Sequence, residues 1–217
     1  MKGAGKIALI VVLVLVPLPM FWLFAHKGLD AVTFFGLSLV SWGLVLANIW
    51  DMGHQKRKGA LLLVSKARDL MEKGQLHAAS EALAQAGKLD KNCFEARVAR
   101  GELYSVERDY AKARRALLEA LEIKPDSYRA HFALGLTYLN EQKIYEAVSE
   151  FRQTINLKND FSEAHFILAQ AYELTGEKDK ACESYRKFLQ IAQGDLAPGP
   201  KITKYVERAQ ERLKALK

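Results

Sequence analysis

The chain is poor in the residues that organise small secreted domains. Its 217 residues include two cysteines and five prolines. Two cysteines cannot build a disulfide framework or a four-thiolate zinc site. We therefore expect Cys93 and Cys182 to be small apolar side chains of the interior. Charged residues make up 26% of the chain, and this ordinary fraction excludes wholesale disorder.

Charge is nearly absent from the first fifty residues. The charged side chains there are Lys2, Lys6, Lys27 and Asp30. Residues 7–24 and 31–50 are uncharged stretches of 18 and 20 residues. A helix needs about 20 apolar residues to cross a bilayer. We predict that residues 1–50 form a two-helix transmembrane hairpin. A re-entrant first segment is the alternative, because Pro17 and Pro19 disfavour a regular helix.

Basic residues flank the two apolar segments mainly on one side, with Lys2 and Lys6 before the first segment and Lys56, Arg57, Lys58, Lys66 and Arg68 after the second. A basic juxtamembrane linker at 51–59 carries Lys56, Arg57 and Lys58, which we expect to contact anionic lipid headgroups. The loop between the segments has Lys27 alone. The positive-inside rule then places both termini in the cytoplasm. We predict an integral membrane protein, with a bacterial inner membrane favoured over an organellar one.

A 34-residue period runs through residues 60–193. Equivalent positions in successive periods are called a column. Three columns contain similar residues: Gly101, Gly135 and Ala169; Tyr104, Tyr138 and Tyr172; Ala113, Ala147 and Ala181. Each period holds two apolar helical runs separated by a polar turn. The pattern predicts helices near 60–73, 76–89, 94–107, 110–123, 128–141, 144–157, 162–175 and 178–192. A last helix, 202–216, within residues 194–217, would cap the array, since solenoids need a terminal unit with a polar outer face. We expect its charged residues to supply that face: Glu207, Arg208, Glu211, Arg212 and Lys214.

These columns resemble the tetratricopeptide repeat family. The third unit carries Leu134-Gly135-x-x-Tyr138 followed by Ala147-x-x-x-Phe151, and the second unit closes with Pro125. The resemblance implies an all-α solenoid of about four helix-turn-helix units with a capping helix, here preceded by two transmembrane helices. The small column lets paired helices approach closely. The tryptophan column of the family is absent, and His131 and His165 stand in two of its positions.

The family resemblance also implies where a partner would bind. First helices of the units line a concave groove that holds peptides or partner helices. By repeat register the groove residues are Leu61, Val64, Arg68, Glu95, Val98, Glu102, Arg129, Phe132, Leu136, Leu139, Glu163, Phe166 and Gln170. Among them Phe132, Leu136, Leu139 and Phe166 would form an apolar patch, a usual mark of an interaction site. The alternative is a groove filled by the C-terminal helix or by a neighbouring chain.

The groove lacks the lysines and asparagine with which some family members clamp a carboxylate, so a hydrophobic or amphipathic segment is the expected ligand. No glycine-rich phosphate loop, GxSxG or HExxH motif is present, and we predict no enzyme activity, cofactor, metal or nucleic-acid partner. The predicted function is a membrane-anchored adaptor that helps to assemble, stabilise or regulate a membrane complex. The alternatives are a permanent structural subunit of such a complex and an organellar receptor for imported proteins.

Overall fold

The computed structural model describes residues 31–194 and 199–216. Within those residues the chain forms α-helices and no strands. The helices are α1 (Ala31–Glu72), α2 (Leu76–Leu89), α3 (Phe94–Val106), α4 (Tyr110–Ile123), α5 (Tyr128–Asn140), α6 (Ile144–Leu157), α7 (Ser162–Leu174), α8 (Lys178–Gln193) and α9 (Pro200–Ala215). The predicted all-α array of helix-turn-helix units is confirmed, and the helices predicted from 76 to 192 match the observed bounds within one residue.

The first helix differs from its prediction. Residues 51–59 were expected to form a linker, but they lie inside α1, which runs from Ala31 to Glu72 without interruption. The physical reason is that the segment holds no proline, and its lysines, arginine, methionine and glutamine are good helix formers. Gly53 and Gly59 each weaken a helix by about 1 kcal/mol but do not end it.

The chain divides into two units, Met1–Lys56 and Arg57–Lys217. The predicted first membrane segment, residues 7–24, lies outside the described residues. Among the described helices, none has both the length and the apolar character needed to cross a membrane. The predicted hairpin is therefore not supported within this part of the chain.

Small residues set the distance between the two helices of a unit. A Cβ atom added at Gly135 would lie 2.7 Å from Cε1 of Phe151, and one added at Gly101 would lie 2.5 Å from Cγ of Leu117. Both distances are shorter than any ordinary carbon–carbon contact. The predicted role of the small column is confirmed: α3 meets α4, and α5 meets α6, at positions where no side chain fits.

A left-handed residue lies in the turn between the two helices of each unit. Among the described residues, the positive-φ positions are Gly74, Arg108, Gln142 and Gly176, spaced by 34. After each one, the next backbone N–H bonds the carbonyl five residues back, as when Lys143 donates to Tyr138 at 2.9 Å. This is the bonding of a Schellman motif, which satisfies helix-terminal carbonyls. The turns therefore repeat as regularly as the helices.

The core is a row of clusters, each shared by neighbouring units. Leu83 and Leu103 belong to the first cluster, Leu117 and Leu134 to the second, and Phe151 and Leu168 to the third. All are at most 5% exposed. Each unit is therefore stabilised by the units beside it, as expected for a repeat array.

Candidate partner-binding surface

Charged side chains occupy the predicted groove from the first unit to the start of the third. The Arg68 guanidinium Nε donates to Glu102 Oε2 at 3.2 Å, and both side chains are about one-third exposed. The exposed Arg129 donates to the Tyr128 hydroxyl at 3.2 Å. That bond, with a smaller contribution from the charge of Glu102, raises the pKa of Arg129. The structure thus brings Arg68, Glu102 and Arg129 together in a partly exposed charged cluster at one end of the predicted groove.

Apolar side chains follow in the third unit. Phe132, Leu136 and Leu139 are half-buried and pack on the core cluster that contains Phe151. The Phe132 ring lies 4.9 Å from the Phe161 ring in an edge-to-face arrangement. Part of each side chain remains in contact with solvent. We call the set Arg68, Glu102, Arg129, Phe132, Leu136 and Leu139 the partner-binding surface.

Three of the predicted groove residues are not accessible. Val64 is 2% exposed, and Val98 and Phe166 are each 1% exposed, so their placement on an open surface is corrected. Val98 is sealed because small residues of α5, Ala130 and Ala133, let that helix pack closely against it. Phe166 is sealed by the Tyr205 ring, which stacks on it at 4.3 Å with 10° between the planes. Gln170 is half-buried.

The C-terminal helix fills the surface of the fourth unit. Lys201 of α9 bonds Glu163 at 2.5 Å, and Arg212 Nε donates to the two Glu173 carboxylate oxygens at 2.9 and 3.1 Å. Arg212 thus serves an internal contact instead of the polar outer face predicted for it. The bond from Arg212, followed by one from Tyr185, lowers the pKa of Glu173. The filled alternative therefore holds for the fourth unit, while the third unit keeps exposed apolar area.

Sequence reasoning missed the anchoring role of Glu173. Its equivalents one, two and three units earlier are Leu139, Ser105 and Met71, so the column shows no common chemistry. The signal that could have found this role is the change from an uncharged residue to a carboxylate in the last unit. A carboxylate appears only in the last unit, where α9 brings an arginine to it.

The remaining predicted residues are placed as follows. Lys56, Arg57 and Lys58 are exposed on α1. Cys93 is 3% exposed and its burial raises its pKa, whereas Cys182 is half-buried. Within residues 31–194 and 199–216, no three His, Cys, Asp or Glu side chains converge on a position that could hold a metal ion.

Comparison with known proteins identifies the repeat. Two family models, both described as tetratricopeptide repeat, match residues 64–128 and 106–157 in one case and 162–195 in the other. Together they span more than half of the chain. None of the curated proteins compared with the chain matches it significantly.

Several solved structures share the fold. A crystal structure of MamA protein aligns with a TM-score of 0.55 and 23% identity, over 73% of this chain and 84% of that one. The first TPR of Spaghetti (RPAP3), bound to the HSP90 peptide SRMEEVD, gives 0.51 and 18%, over 55% and 95%. An O-GlcNAc transferase mutant from Thermobaculum terrenum gives 0.58 and 19%, over 67% and 28%. Identities this low establish likeness of fold alone.

Proposed function

The chain belongs to the tetratricopeptide repeat family, and from this premise we propose that it is a protein-interaction adaptor whose partner-binding surface holds a segment of another protein. One observation carries the proposal. Charged Arg68, Glu102 and Arg129 lie on the first helices of consecutive units, next to the incompletely covered Phe132, Leu136 and Leu139. The RPAP3 structure, with its bound peptide, gives a precedent for this use of the fold.

The surface chemistry selects an amphipathic ligand. An apolar face of a peptide or helix would bury the exposed area of Leu136 and Leu139, at roughly 25 cal/mol per Å² removed from water. Charged residues toward one end of the ligand would then meet the Arg68–Glu102 pair and Arg129. Helix-in-groove recognition combines these two contributions in the same way.

Site-specific crosslinking in the source cell tests this proposal. A photoreactive amino acid at Leu136 should crosslink a partner, and the crosslinked peptide should be amphipathic. Arg129→Glu should reduce the yield severalfold, because it reverses a charge at the contact. The matched control is a photoreactive residue at Tyr145, which is 75% exposed on α6. An equal yield of the same partner from both positions would contradict the proposal.

We further propose that the N-terminal segment anchors the adaptor in a membrane, with the repeats on the cytoplasmic side of a bacterial inner membrane. Support comes from the two uncharged stretches, residues 7–24 and 31–50. Apolar side chains at the end of the second stretch are also exposed, among them Leu44 at 63% and Trp50 at 72%. Lys56, Arg57 and Lys58 would then meet the lipid headgroups.

Fractionation of the full-length chain tests the anchor separately from the binding surface. The chain should stay with the membrane pellet after alkaline carbonate extraction, and protease added to inside-out vesicles should digest residues 60–217. Release by carbonate would remove the anchor proposal. Protection of the repeats from protease would reverse the topology.

A permanent structural subunit is a second candidate. It is favoured by the complete cover that α9 places over Phe166, because a filled surface needs no transient ligand. The two candidates differ in whether the bound protein can exchange. A synthetic peptide with the sequence identified by crosslinking, added in excess, would displace a transient ligand from the purified complex. A permanent neighbour would stay bound at fixed stoichiometry.

A further inference from the structure

A second cleft lies between α6, α7 and α8. Its volume is about 760 Å³, and α7 lines it with His165, Leu168 and Tyr172. At 100° per residue, these side chains lie on the face of α7 opposite Phe166 and Gln170. Phe166 and Gln170 are the equivalents of Phe132 and Leu136 in the next unit. The cleft therefore lies on a different face of the array from the partner-binding surface.

The cleft is strongly basic. Arg152 reaches it from α6, and Lys180, Arg186 and Lys187 reach it from α8. Lys180 pairs with Glu177. In the part of the chain that the structure describes, the other three form no ion pair with a carboxylate. Among the described residues that line the cleft, Glu183 is the single acidic one, so positive charge is in excess.

The preceding unit shows what a histidine at this position can bind. His131 is the equivalent of His165, one repeat earlier. Its Nε2 bonds the carbonyl oxygen of Pro125 at 3.0 Å, and its Nδ1 bonds the Glu150 carboxylate at 2.7 Å. Both ring nitrogens are therefore satisfied, one by a backbone carbonyl and one by a carboxylate of the chain itself.

In the fourth unit the same place has no carboxylate. His165 Nε2 donates to the Asn159 carbonyl at 2.9 Å, as its equivalent does, but Ser184 stands where the third unit has Glu150. The Ser184 hydroxyl bonds the Lys180 carbonyl at 2.8 Å. Among the described residues no side chain bonds His165 Nδ1, although His165 is 6% exposed.

That nitrogen must therefore open onto the cleft. No fully buried polar side-chain atom of the described residues lacks a hydrogen-bond partner, so Nδ1 of His165 is not sealed in the core. Burial, followed by the charge of Lys187, lowers the pKa of His165. Without a ligand, the charged form of the ring is therefore disfavoured, and Nδ1 has no side-chain partner among the described residues.

We propose that this cleft binds an acidic segment of a partner protein, with one ligand carboxylate on Nδ1 of His165 in the position that Glu150 occupies beside His131. Binding would transfer a proton from solvent to Nδ1, which then donates to the carboxylate. Arg152, Arg186 and Lys187 would neutralise further carboxylates, and their spread over two helices requires more than one acidic residue. The volume lies within the usual range of about 300–1,000 Å³ for ligand sites.

The probe is a fluorescein-labelled hexaglutamate peptide, measured by anisotropy against the full-length chain, with hexaglutamine as the uncharged reference. Hexaglutamate should bind and hexaglutamine should not. Ser184→Glu should weaken binding at least tenfold, because it supplies the missing carboxylate internally. Lys187→Gln should weaken it severalfold without a new buried charge. The matched control is Arg115→Gln, which removes one exposed positive charge from α4 and should change affinity less than twofold.

Three results decide whether the peptide binds at His165. At fixed pH, the ¹⁵N resonance of His165 Nδ1 should shift toward the protonated position when hexaglutamate is added, and the His131 resonances should stay. Equal loss of affinity in Lys187→Gln and Arg115→Gln would overturn the proposal, since it indicates nonspecific charge attraction. Displacement of the peptide by equimolar inorganic phosphate would also overturn it, since a small anion would then suffice. If Ser184→Glu lowers helicity, the Lys187→Gln and resonance results decide alone.

Discussion

At the scale of single residues, the small column governs packing within a unit. Gly135 is helical, so alanine would normally stabilise the helix there by about 1 kcal/mol. The Phe151 ring, 2.7 Å from the position of the missing Cβ, opposes that gain. The contact is with a fully buried ring, which cannot move freely.

We expect Gly135→Ala to lower the free energy of unfolding by about 1–3 kcal/mol, the usual cost of overpacking. Urea denaturation followed by circular dichroism measures it. Gly53→Ala is the control, because no atom lies within 4 Å of the added Cβ and the change should be neutral or stabilising. Equal effects at both positions would refute the packing argument.

A second residue-scale prediction concerns the α9 anchor. The pKa of Glu173 is lowered, chiefly by Arg212, so the pair stabilises the fold fully above the ordinary glutamate pKa and loses its effect as pH falls through the lowered one. Arg212 is 46% exposed, so solvent screening limits the pair to about 1 kcal/mol. Glu173→Gln should therefore lower the melting temperature at pH 7 and have a smaller effect at pH 2. A constant difference between these pH values would contradict the assignment.

At the scale of elements, the repeated left-handed turn is the informative feature. Gly74 and Gly176 adopt positive φ freely, but Arg108 and Gln142 do so with side chains, at φ of 63° and 62°. A side chain costs about 1–2 kcal/mol in this region. The turns between the two helices of the second and third units therefore carry some backbone strain.

We expect Gln142→Gly to stabilise the chain by about 1 kcal/mol, because glycine relieves that strain. Gly176→Ala should destabilise it by a similar amount, since the added Cβ meets no atom within 4 Å and only the backbone conformation is affected. Thermal unfolding of both variants provides the measurement. Destabilisation by Gln142→Gly would show that the Gln142 side chain makes a contact worth more than the strain.

The helix bounds could be predicted from the sequence only in part. Helices α2 to α8 were predictable because polar turns recur at a fixed spacing and fix both ends of each run. The continuation of α1 through residues 51–59 was not, because the change from apolar to charged residues suggested a boundary, whereas the segment holds no proline to end the helix. The burial of Phe166 was not either, because repeat register gives its column but not the later helix that stacks Tyr205 on it.

At the scale of the whole array, stability should propagate only between neighbours. Tyr205→Ala removes the ring that covers Phe166 and should loosen α7, α8 and α9. Hydrogen exchange followed by mass spectrometry should then accelerate in those helices and stay unchanged in α2 and α3. Uniform acceleration along the chain would mean that the repeats unfold as one cooperative unit.

The way α9 attaches also determines where such an array can grow. The helix depends on Glu163, Phe166 and Glu173, a combination that the corresponding positions of the other units lack. A duplicated unit inserted before residue 160 would keep these three side chains beneath α9. A copy of one of the first three units added after Gln193 would separate α9 from them and remove its contacts. Lengthening by copies of the first three units should therefore be tolerated in the interior of this array and not at its end.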